Sequence, residues 1–250
     1  MSKRILMSLC CTALIAGCAS SPNKPDSSAD RHESAETLFQ PAQKAMERGD
    51  YSSAIKLYED LETRYPYGPY AEQAQLNTAY SYYRRGDSEA AVAAAERFIK
   101  LHPANPHVDY AWYLKGIAYY QAIQGAEWNP KPAEEAFTTL DTLAIRWPHS
   151  AYATDARLRM AKIINILGKR NLEICKFYYV RHAYVASANR CSTVIARYQL
   201  SSAREEALYY LARSYQHLNL QKLARTTTEI LAYNYPKSKY LSDLGSSAKS

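Results

Sequence analysis

The sequence contains little glycine, with 8 glycines among 250 residues. Glycine-rich loops bring the backbone close to phosphates and dinucleotides, so this scarcity argues against P-loop and Rossmann-type nucleotide sites. The motifs H-E-x-x-H and G-x-S-x-G are missing as well. The six histidines are dispersed, and the closest pair, His102 and His107, has no third metal ligand in view. We therefore expect a binding protein that is not an enzyme and uses no metal or cofactor.

Phenylalanine and tryptophan are also scarce, at 4 and 3 residues, whereas tyrosine is abundant at 23. Hydrophobic residues make up 47% of the chain and charged residues 22%, which indicates a folded chain with a core. The net charge is +7. A net positive charge favours binding to nucleic acid, to an anionic membrane surface or to an acidic partner, and it does not discriminate among these three.

Long hydrophobic runs are missing, and no stretch approaches the 18 apolar residues that a membrane-spanning helix requires. A shorter apolar run at 5–16 follows Lys3 and Arg4, which is the layout of a secretory signal peptide. The run ends in Leu14-Ile15-Ala16-Gly17-Cys18, which resembles the bacterial lipoprotein cleavage box. An ordinary secretory signal with a chance cysteine is the alternative interpretation.

The lipoprotein resemblance implies that residues 1–17 are removed as a signal peptide and that Cys18 is lipidated. Two or more acyl chains hold a protein stably on a membrane, which a single chain does not. Ala19 rather than Asp follows the cysteine, and the resemblance then implies the outer membrane. Residues 18–33 are rich in polar residues and proline, so we expect a lipidated flexible tether on the periplasmic face.

Two cysteines remain in the mature chain, Cys175 and Cys191. On one straight helix they would lie about 24 Å apart and would not pair. A helical hairpin between them would allow a disulfide in an oxidising periplasm. Pairing and two buried free thiols therefore both stay open.

A pair formed by an aromatic residue or histidine and a proline recurs along the chain. The pairs are Tyr65-Pro66, His102-Pro103, Trp147-Pro148 and Tyr235-Pro236, with a degenerate copy at Tyr198-Gln199. Each pair lies at the end of a stretch in which the apolar residues have helical spacing. Proline ends a helix because it lacks an N–H and clashes with the preceding turn. Small residues recur between these marks, at Ala42 and Ala54, Ala79 and Ala91, Gly116 and Ala136, and Ala212 and Ala224.

This pattern resembles the tetratricopeptide repeat, a unit of two packed helices. It predicts an all-α fold, a solenoid of about five helical hairpins that share one core. We assign repeats 1–3 to residues 34–150, repeats 4–5 to 151–240 and a frayed tail to 241–250. Two departures are expected: a turn-rich insertion at 124–132 around Trp128, and a first helix of about 40 Å in repeat 4, with Gly168 as a possible kink.

The segment Arg64-Tyr65-Pro66-Tyr67-Gly68-Pro69-Tyr70 goes beyond a generic repeat. It resembles a signature of the BamD family, lipoproteins of the outer-membrane β-barrel assembly machinery. The segments 97–101 and 105–110, and then 183–186 with 189–190, match that family in the same order. The insertion around Trp128 and the segment at 174–176 depart from the family pattern.

The family resemblance implies a non-catalytic scaffold that receives unfolded outer-membrane proteins, including C-terminal signals that end in an aromatic residue. It implies partners as well: BamA, bound through the C-terminal half, and other lipoproteins of the assembly complex. Arg190 matches a family arginine that contacts a periplasmic domain of BamA, and an ordinary solvated arginine is the other interpretation. Nucleic acid is not expected as a partner of an exported, lipidated chain.

Two other functions remain open from the sequence. A tetratricopeptide lipoprotein also serves as a scaffold for pilus assembly or cell-envelope division, and the segment at 64–70 speaks against that alternative. An envelope enzyme or peptidoglycan-binding protein would need a catalytic or glycan-binding site that the sequence does not display.

The repeat register predicts a peptide groove, because the first helix of each tetratricopeptide hairpin lines the concave face. The candidates are Tyr80, Tyr83 and Arg84 from repeat 2, and Tyr110, Tyr113 and Tyr120 from repeat 3, with Phe39 and Gln43 from repeat 1 on the same face. An aromatic wall with one cation suits an extended peptide that ends in an aromatic side chain and a free carboxylate. Packing against the neighbouring repeat is the alternative for part of this set.

Overall fold

The computed structural model describes residues 34–125 and 129–246, and all regular elements in these ranges are helices. The expected signal peptide, Cys18, the tether and Trp128 lie outside the described residues. The helices are α1 (Ala35–Glu47), α2 (Tyr51–Arg64), α3 (Pro69–Arg85), α4 (Ser88–Leu101), α5 (Val108–Ala122), α6 (Lys131–Arg146), α7 (Ala153–Val180), α8 (Tyr184–Arg197), α9 (Arg204–His217), α10 (Gln221–Asn234) and α11 (Tyr240–Ser246). A 3-10 turn, Ile123–Gly125, follows α5.

The first ten helices pair into five hairpins, from α1 with α2 to α9 with α10, which confirms the predicted fold. First helices of successive hairpins also touch, α1 with α3, α3 with α5, α5 with α7 and α7 with α9. Across the described ranges, second helices do not meet one another to that extent. The first helices therefore form the inner layer of the stack and the second helices the outer layer.

The aromatic or histidine residue of each recurrent pair is the C-cap of a second helix. These residues are Tyr65, His102, Trp147, Tyr198 and Tyr235. Each still donates its N–H to the carbonyl four residues earlier, at 2.8–3.0 Å. Four of them are followed by proline, which has no N–H to continue the helix. The sequence signal thus marks the end of every hairpin.

Two glycine–aspartate turns join the helices of repeats 1 and 2. Gly49 and Gly86 adopt φ angles of 79° and 95°, which glycine reaches without steric cost. In the first turn the backbone N–H of Ser53 donates to the Asp50 carboxylate at 3.1 Å, which caps α2.

The small residues of the repeat lie where two helices approach closely. Ala42 and Ala54 in repeat 1 are completely buried, as are Ala79 and Ala91 in repeat 2. At Gly116 a methyl group would overlap the side chain of Leu140 on α6. These positions need small residues because the helices leave no room for larger ones.

Helix α7 runs unbroken for 28 residues and confirms the predicted long helix. It passes through Gly168 without interruption, and this glycine provides space for Ser201 of the α8–α9 loop. The N-terminal half of α7 packs with α6 through Ile163, and the C-terminal half packs with α8 through Leu172. One helix therefore takes part in two core clusters. Although α7 is long, no helix in the described ranges is apolar enough to cross a membrane.

Cys175 on α7 and Cys191 on α8 form a disulfide, with 5.5 Å between their Cα atoms. The pairing that the sequence left open thus occurs within the hairpin of repeat 4. Cys175 and Ser187 are twelve residues apart, as are the paired alanines of repeats 1, 2 and 5, and both are completely buried. They are the small residues of repeat 4.

We expected residues 241–250 to form a frayed tail, and this prediction is wrong for residues 241–246. Residues 240–246 form α11, which contacts α9 and α10. Leu244 is buried in a cluster with Leu208 and Leu231. A final hairpin leaves an apolar face uncovered, and a short additional helix covers it, as end caps do in repeat proteins.

Candidate functional site

Five tyrosines from three inner helices meet on one face of the stack, and we call them the tyrosine cluster. Its members are Tyr80 and Tyr83 of α3, Tyr110 and Tyr113 of α5, and Tyr152 at the N-cap of α7. The ring of Tyr152 stacks on Tyr113 with centroids 4.8 Å apart and lies 5.0 Å from the ring of Tyr110. The four members predicted from the register therefore come together, and all are only partly buried.

A hydrogen-bonded chain fixes one side of the tyrosine cluster. Tyr113 donates to the Asp155 carboxylate at 2.7 Å, and Arg159 Nε donates to the same carboxylate. Burial and the bond to Asp155 raise the pKa of Tyr113 to about 12, and burial also raises the pKa of Tyr110. Burial opposes ionisation of Asp155, but the bonds from Arg159 and Tyr113 outweigh it and lower the pKa of this carboxyl.

Tyr120 lies apart from the cluster, towards the C-terminal end of α5. The guanidinium of Arg159 lies 5.2 Å from its ring centroid, so Tyr120 is joined to the cluster through this cation. The spacing of seven residues from Tyr113 puts both rings on one side of α5, as expected, and Arg159 of α7 interacts with both tyrosines.

Arg84 is exposed at the edge of the cluster and packs on two aromatic rings. Its guanidinium lies 5.1 Å from the ring centroid of Tyr51 and 5.5 Å from that of Tyr80, and it donates to the Tyr80 hydroxyl. This hydrogen bond raises the pKa of Arg84. The ion pairs among the described residues do not include Arg84. A fixed cation without a carboxylate therefore lies beside the aromatic rings.

The prediction that Phe39 lines the groove is wrong. Its ring lies 5.5 Å from those of Tyr58 and Tyr70 and is buried in the core of repeat 1. Gln43 instead lies at the surface and donates to Glu47 at 3.0 Å. Repeat 1 thus contributes Tyr51 of α2 to the aromatic face, and not Phe39 of α1.

Four residues of the site were missed from the sequence: Tyr51, Tyr152, Asp155 and Arg159. Three of them lie at the start of α7, which the repeat pattern marks only as the first helix of repeat 4. Their spacing of three and four residues puts them on one helix face, and this spacing would have indicated that they act together. The missing information was that this half of α7 also covers α5 of repeat 3.

Arg190 projects from α8 in repeat 4 and is exposed. Residues 151–200 hold nine lysines and arginines against two acidic residues, so this segment carries a charge of +7, equal to that of the whole chain. Phe177, Val180 and Val185 are exposed in the same hairpin, at 48%, 65% and 60%. A basic hairpin with exposed apolar side chains is typical of a protein contact.

A second aromatic group lies between α7 and α9, where repeats 4 and 5 meet. The ring of Tyr184 stacks on His217 at 4.2 Å, and the Tyr179 hydroxyl lies 3.3 Å from His217 Nε2. Burial, together with the charges of Arg213 and His182, lowers the pKa of His217. The neutral imidazole therefore takes part in aromatic packing at neutral pH.

The described residues include no group of three or more histidines, cysteines or acidic residues that could hold a metal. His102, one of the two closest histidines, instead has its Nε2 atom 3.0 Å from Gln75 Oε1. His107 is the N-cap of α5. Both histidines lie at the α4–α5 connection.

Comparison with known proteins identifies the family of the chain. A family described as outer membrane lipoprotein, YfiO, matches residues 31–231. An outer membrane protein assembly factor BamD of Neisseria meningitidis serogroup A is 37% identical, with 96% of this chain and 94% of the relative covered. The BamD of Vibrio cholerae is 31% identical, with 94% and 99% covered. Because the family match spans most of the repeats and both relatives align over nearly their whole length, the chain belongs to the BamD family of outer-membrane lipoproteins.

Proposed function

We propose that this chain is a non-catalytic scaffold of outer-membrane protein assembly, which binds BamA and receives unfolded outer-membrane proteins. Relatives named as assembly factors for outer membrane proteins align along nearly the whole chain, which supports the general role. The observation that carries the proposal is the tyrosine cluster with Arg84 beside it.

The tyrosine cluster suits the C-terminal end of an unfolded outer-membrane protein. Aromatic pairs contribute about 0.5–1.5 kcal/mol beyond the area they bury, and five neighbouring rings offer several such contacts. Arg84 provides a cation for the terminal carboxylate of a peptide whose last ring packs against Tyr80 or Tyr83. The aromatic rings and the cation together select a free C-terminus that follows an aromatic side chain.

The surface around Arg190 suits an acidic partner, and we assign it to BamA. The charge of repeat 4 speeds association with an acidic surface, while exposed Phe177 and Val180 provide apolar contact area. Other lipoproteins of the assembly complex are expected to share this scaffold. The chain would work at the periplasmic face of the outer membrane, held there by lipid on Cys18.

Co-purification tests membership of the assembly complex. Lipidated chain is isolated from detergent-solubilised membranes, and BamA recovery is measured by immunoblotting for wild type, Arg190→Glu and Arg225→Glu. Arg225 is an exposed arginine of the neighbouring second helix, α10, and it controls for the charge change. We expect BamA with wild type and Arg225→Glu and at least tenfold less with Arg190→Glu. Wild-type chain that recovers no BamA would contradict the proposal.

A further inference from the structure

Helix α8 is held in its hairpin by unusually small side chains. Its buried residues are Ser187, Ala188, Cys191 and Val194. Every other second helix buries at least one larger apolar side chain, namely Tyr58 in α2, Phe98 in α4, Leu140 in α6 and Leu231 in α10. Burial of large apolar side chains is the usual force that holds a helix in place. Within α8 this force is weak, and the large buried side chain nearest to it is that of its C-cap residue, Tyr198.

Polar side chains further reduce the apolar contact of α8 with its neighbours, at Ser187 of α8 and Ser214 of α9. The hydroxyl oxygens of Ser214 of α9 and Ser187 of α8 lie 3.1 Å apart. Ser187 in turn donates to the Cys175 sulfur at 3.3 Å, because a bridged sulfur carries no hydrogen. Bonds between neutral groups contribute little net stability when water competes for the same groups. The covalent bridge is therefore the strongest connection between α7 and α8.

The bridge is also adjacent to the proposed partner surface. Cys191 directly follows Arg190, and both belong to the same turn of α8. The position of this turn relative to α7 sets the distance between Arg190 and the exposed residues Phe177 and Val180. A change in the position of α8 would therefore move the Arg190 side chain relative to these exposed residues of α7.

We propose that the Cys175–Cys191 disulfide seats α8 on α7 and thereby positions the Arg190 surface, so that formation of this bond is a maturation step for partner binding. The inference rests on the proposed function of that surface. In the step, the two thiols lose two protons and two electrons and form one S–S bond. A disulfide-bearing thiol oxidase of the cell envelope accepts both electrons and protons and becomes a dithiol.

Loss of the bridge should loosen α8 alone. Each repeat contacts chiefly its neighbours, and repeats 1–3 have cores that do not include either cysteine. The remaining helices would keep their protection from hydrogen exchange while α8 opens locally.

Hydrogen exchange of the full chain, with and without the bridge, tests this inference. We compare oxidised wild type, Cys175→Ala/Cys191→Ala, and Cys175→Ala/Cys191→Leu, which copies the small–large pair of Gly116 and Leu140 in repeat 3. In the alanine variant we expect amides of 184–197 to exchange about 100-fold faster than in wild type, with α2 and α4 unchanged. The leucine variant should recover most of this protection, because a large side chain replaces the bridge.

The same three proteins are then tested for BamA recovery, which we expect to fall at least tenfold for the alanine variant and to return in part for the leucine variant. Unchanged α8 exchange in the alanine variant would overturn the inference. Rapid α8 exchange with undiminished BamA recovery in the alanine variant would overturn it too, since the position of α8 on α7 would then not affect binding. If oxidised wild type recovers no BamA, the proposed function fails, while the exchange result still decides whether the bridge seats α8.

Discussion

Tyr113 of α5 donates a hydrogen bond to Asp155 of α7, 42 residues later in the chain, with 2.7 Å between the oxygens. The bond joins repeat 3 to the long helix and holds the Tyr113 ring against Tyr152. A neutral tyrosine is needed as the donor, because a tyrosinate beside this carboxylate would be repelled by it.

Alkaline pH should therefore lower the free energy of unfolding, because Tyr113 ionises. Its pKa of about 12 lies above the ordinary value of 10, so the folded chain retains this proton more tightly than the unfolded chain. The resulting stabilisation is complete below pH 10 and declines as the pH rises from 10 to 12. Urea unfolding of Tyr113→Phe should show a smaller loss of stability over that range than wild type. Tyr233→Phe, at a residue that is 88% exposed, is the control and should match wild type. Equal pH dependence in all three proteins would exclude this role of Tyr113.

The close approach of α5 and α6 at Gly116 gives a second prediction. Gly116→Val should lower the free energy of unfolding by about 1–3 kcal/mol, since the added methyl groups overlap Leu140. Ala161→Val, at an exposed position of α7, introduces the same side chain without overlap. Thermal unfolding of both variants measures the difference, and equal stabilities would show that the helices separate without cost.

Most of the helical architecture was predictable because its signals are local. Tyr65 before Pro66 and Trp147 before Pro148 mark helix ends, and Gly86 fits a left-handed turn that other residues enter at a cost. Small residues at fixed spacing then fix which helix faces meet. None of these signals requires knowledge of distant parts of the chain.

The parts that were missed depend on contacts between distant residues. Tyr152 and Arg159 lie beside repeat 3 only because α7 extends past its own hairpin, and Phe39 is buried because Tyr58 and Tyr70 surround it. A separation of 16 residues fits both an extended helix and a hairpin, so the Cys175–Cys191 pairing needed the turn between α7 and α8 to be placed first.

The helix at the C-terminus should contribute to stability. Leu244→Ala removes a buried side chain between α9 and α10 and should cost about 2–3 kcal/mol. Leu223→Ala, at a residue of α10 that is 47% exposed, should cost much less. Urea unfolding of the two variants compares them. If both have the same midpoint, α11 does not cover the last hairpin in solution.

The proposed lipidation of Cys18 predicts how the chain fractionates. Cys18→Ser should release the chain from membranes without changing its thermal unfolding, because Cys18 precedes the first core residue of the described chain, Phe39. The fractionation is done at high salt, since the charge of +7 would otherwise hold an unlipidated chain on anionic lipids. A Cys18→Ser chain that stays in the membrane fraction as fully as wild type would rule out anchoring through this residue.

Under the proposed function, binding of aromatic-ended peptides should depend on the tyrosine cluster as well as on Arg84. In the full chain, Tyr83→Ala/Tyr113→Ala should weaken binding of both free-acid and amidated peptides, because the variant lacks two rings that the proposal places against the peptide side chain. Circular dichroism must first show that the variant retains its helices. Undiminished binding of both peptides would mean that these tyrosines serve only in packing.

The most direct test of the proposed function is calorimetric titration of the full chain with one peptide that ends in phenylalanine, as free acid and as amide. Arg84 is exposed, so its pairing with the carboxylate contributes about 1 kcal/mol, and the free acid should bind wild type about fivefold more tightly. Arg84→Gln should bind both peptides equally, at the affinity of wild type for the amide, while Arg48→Gln, at another exposed arginine, should keep the fivefold preference. Equal affinities for acid and amide in the wild type would contradict recognition of a C-terminal signal at this site.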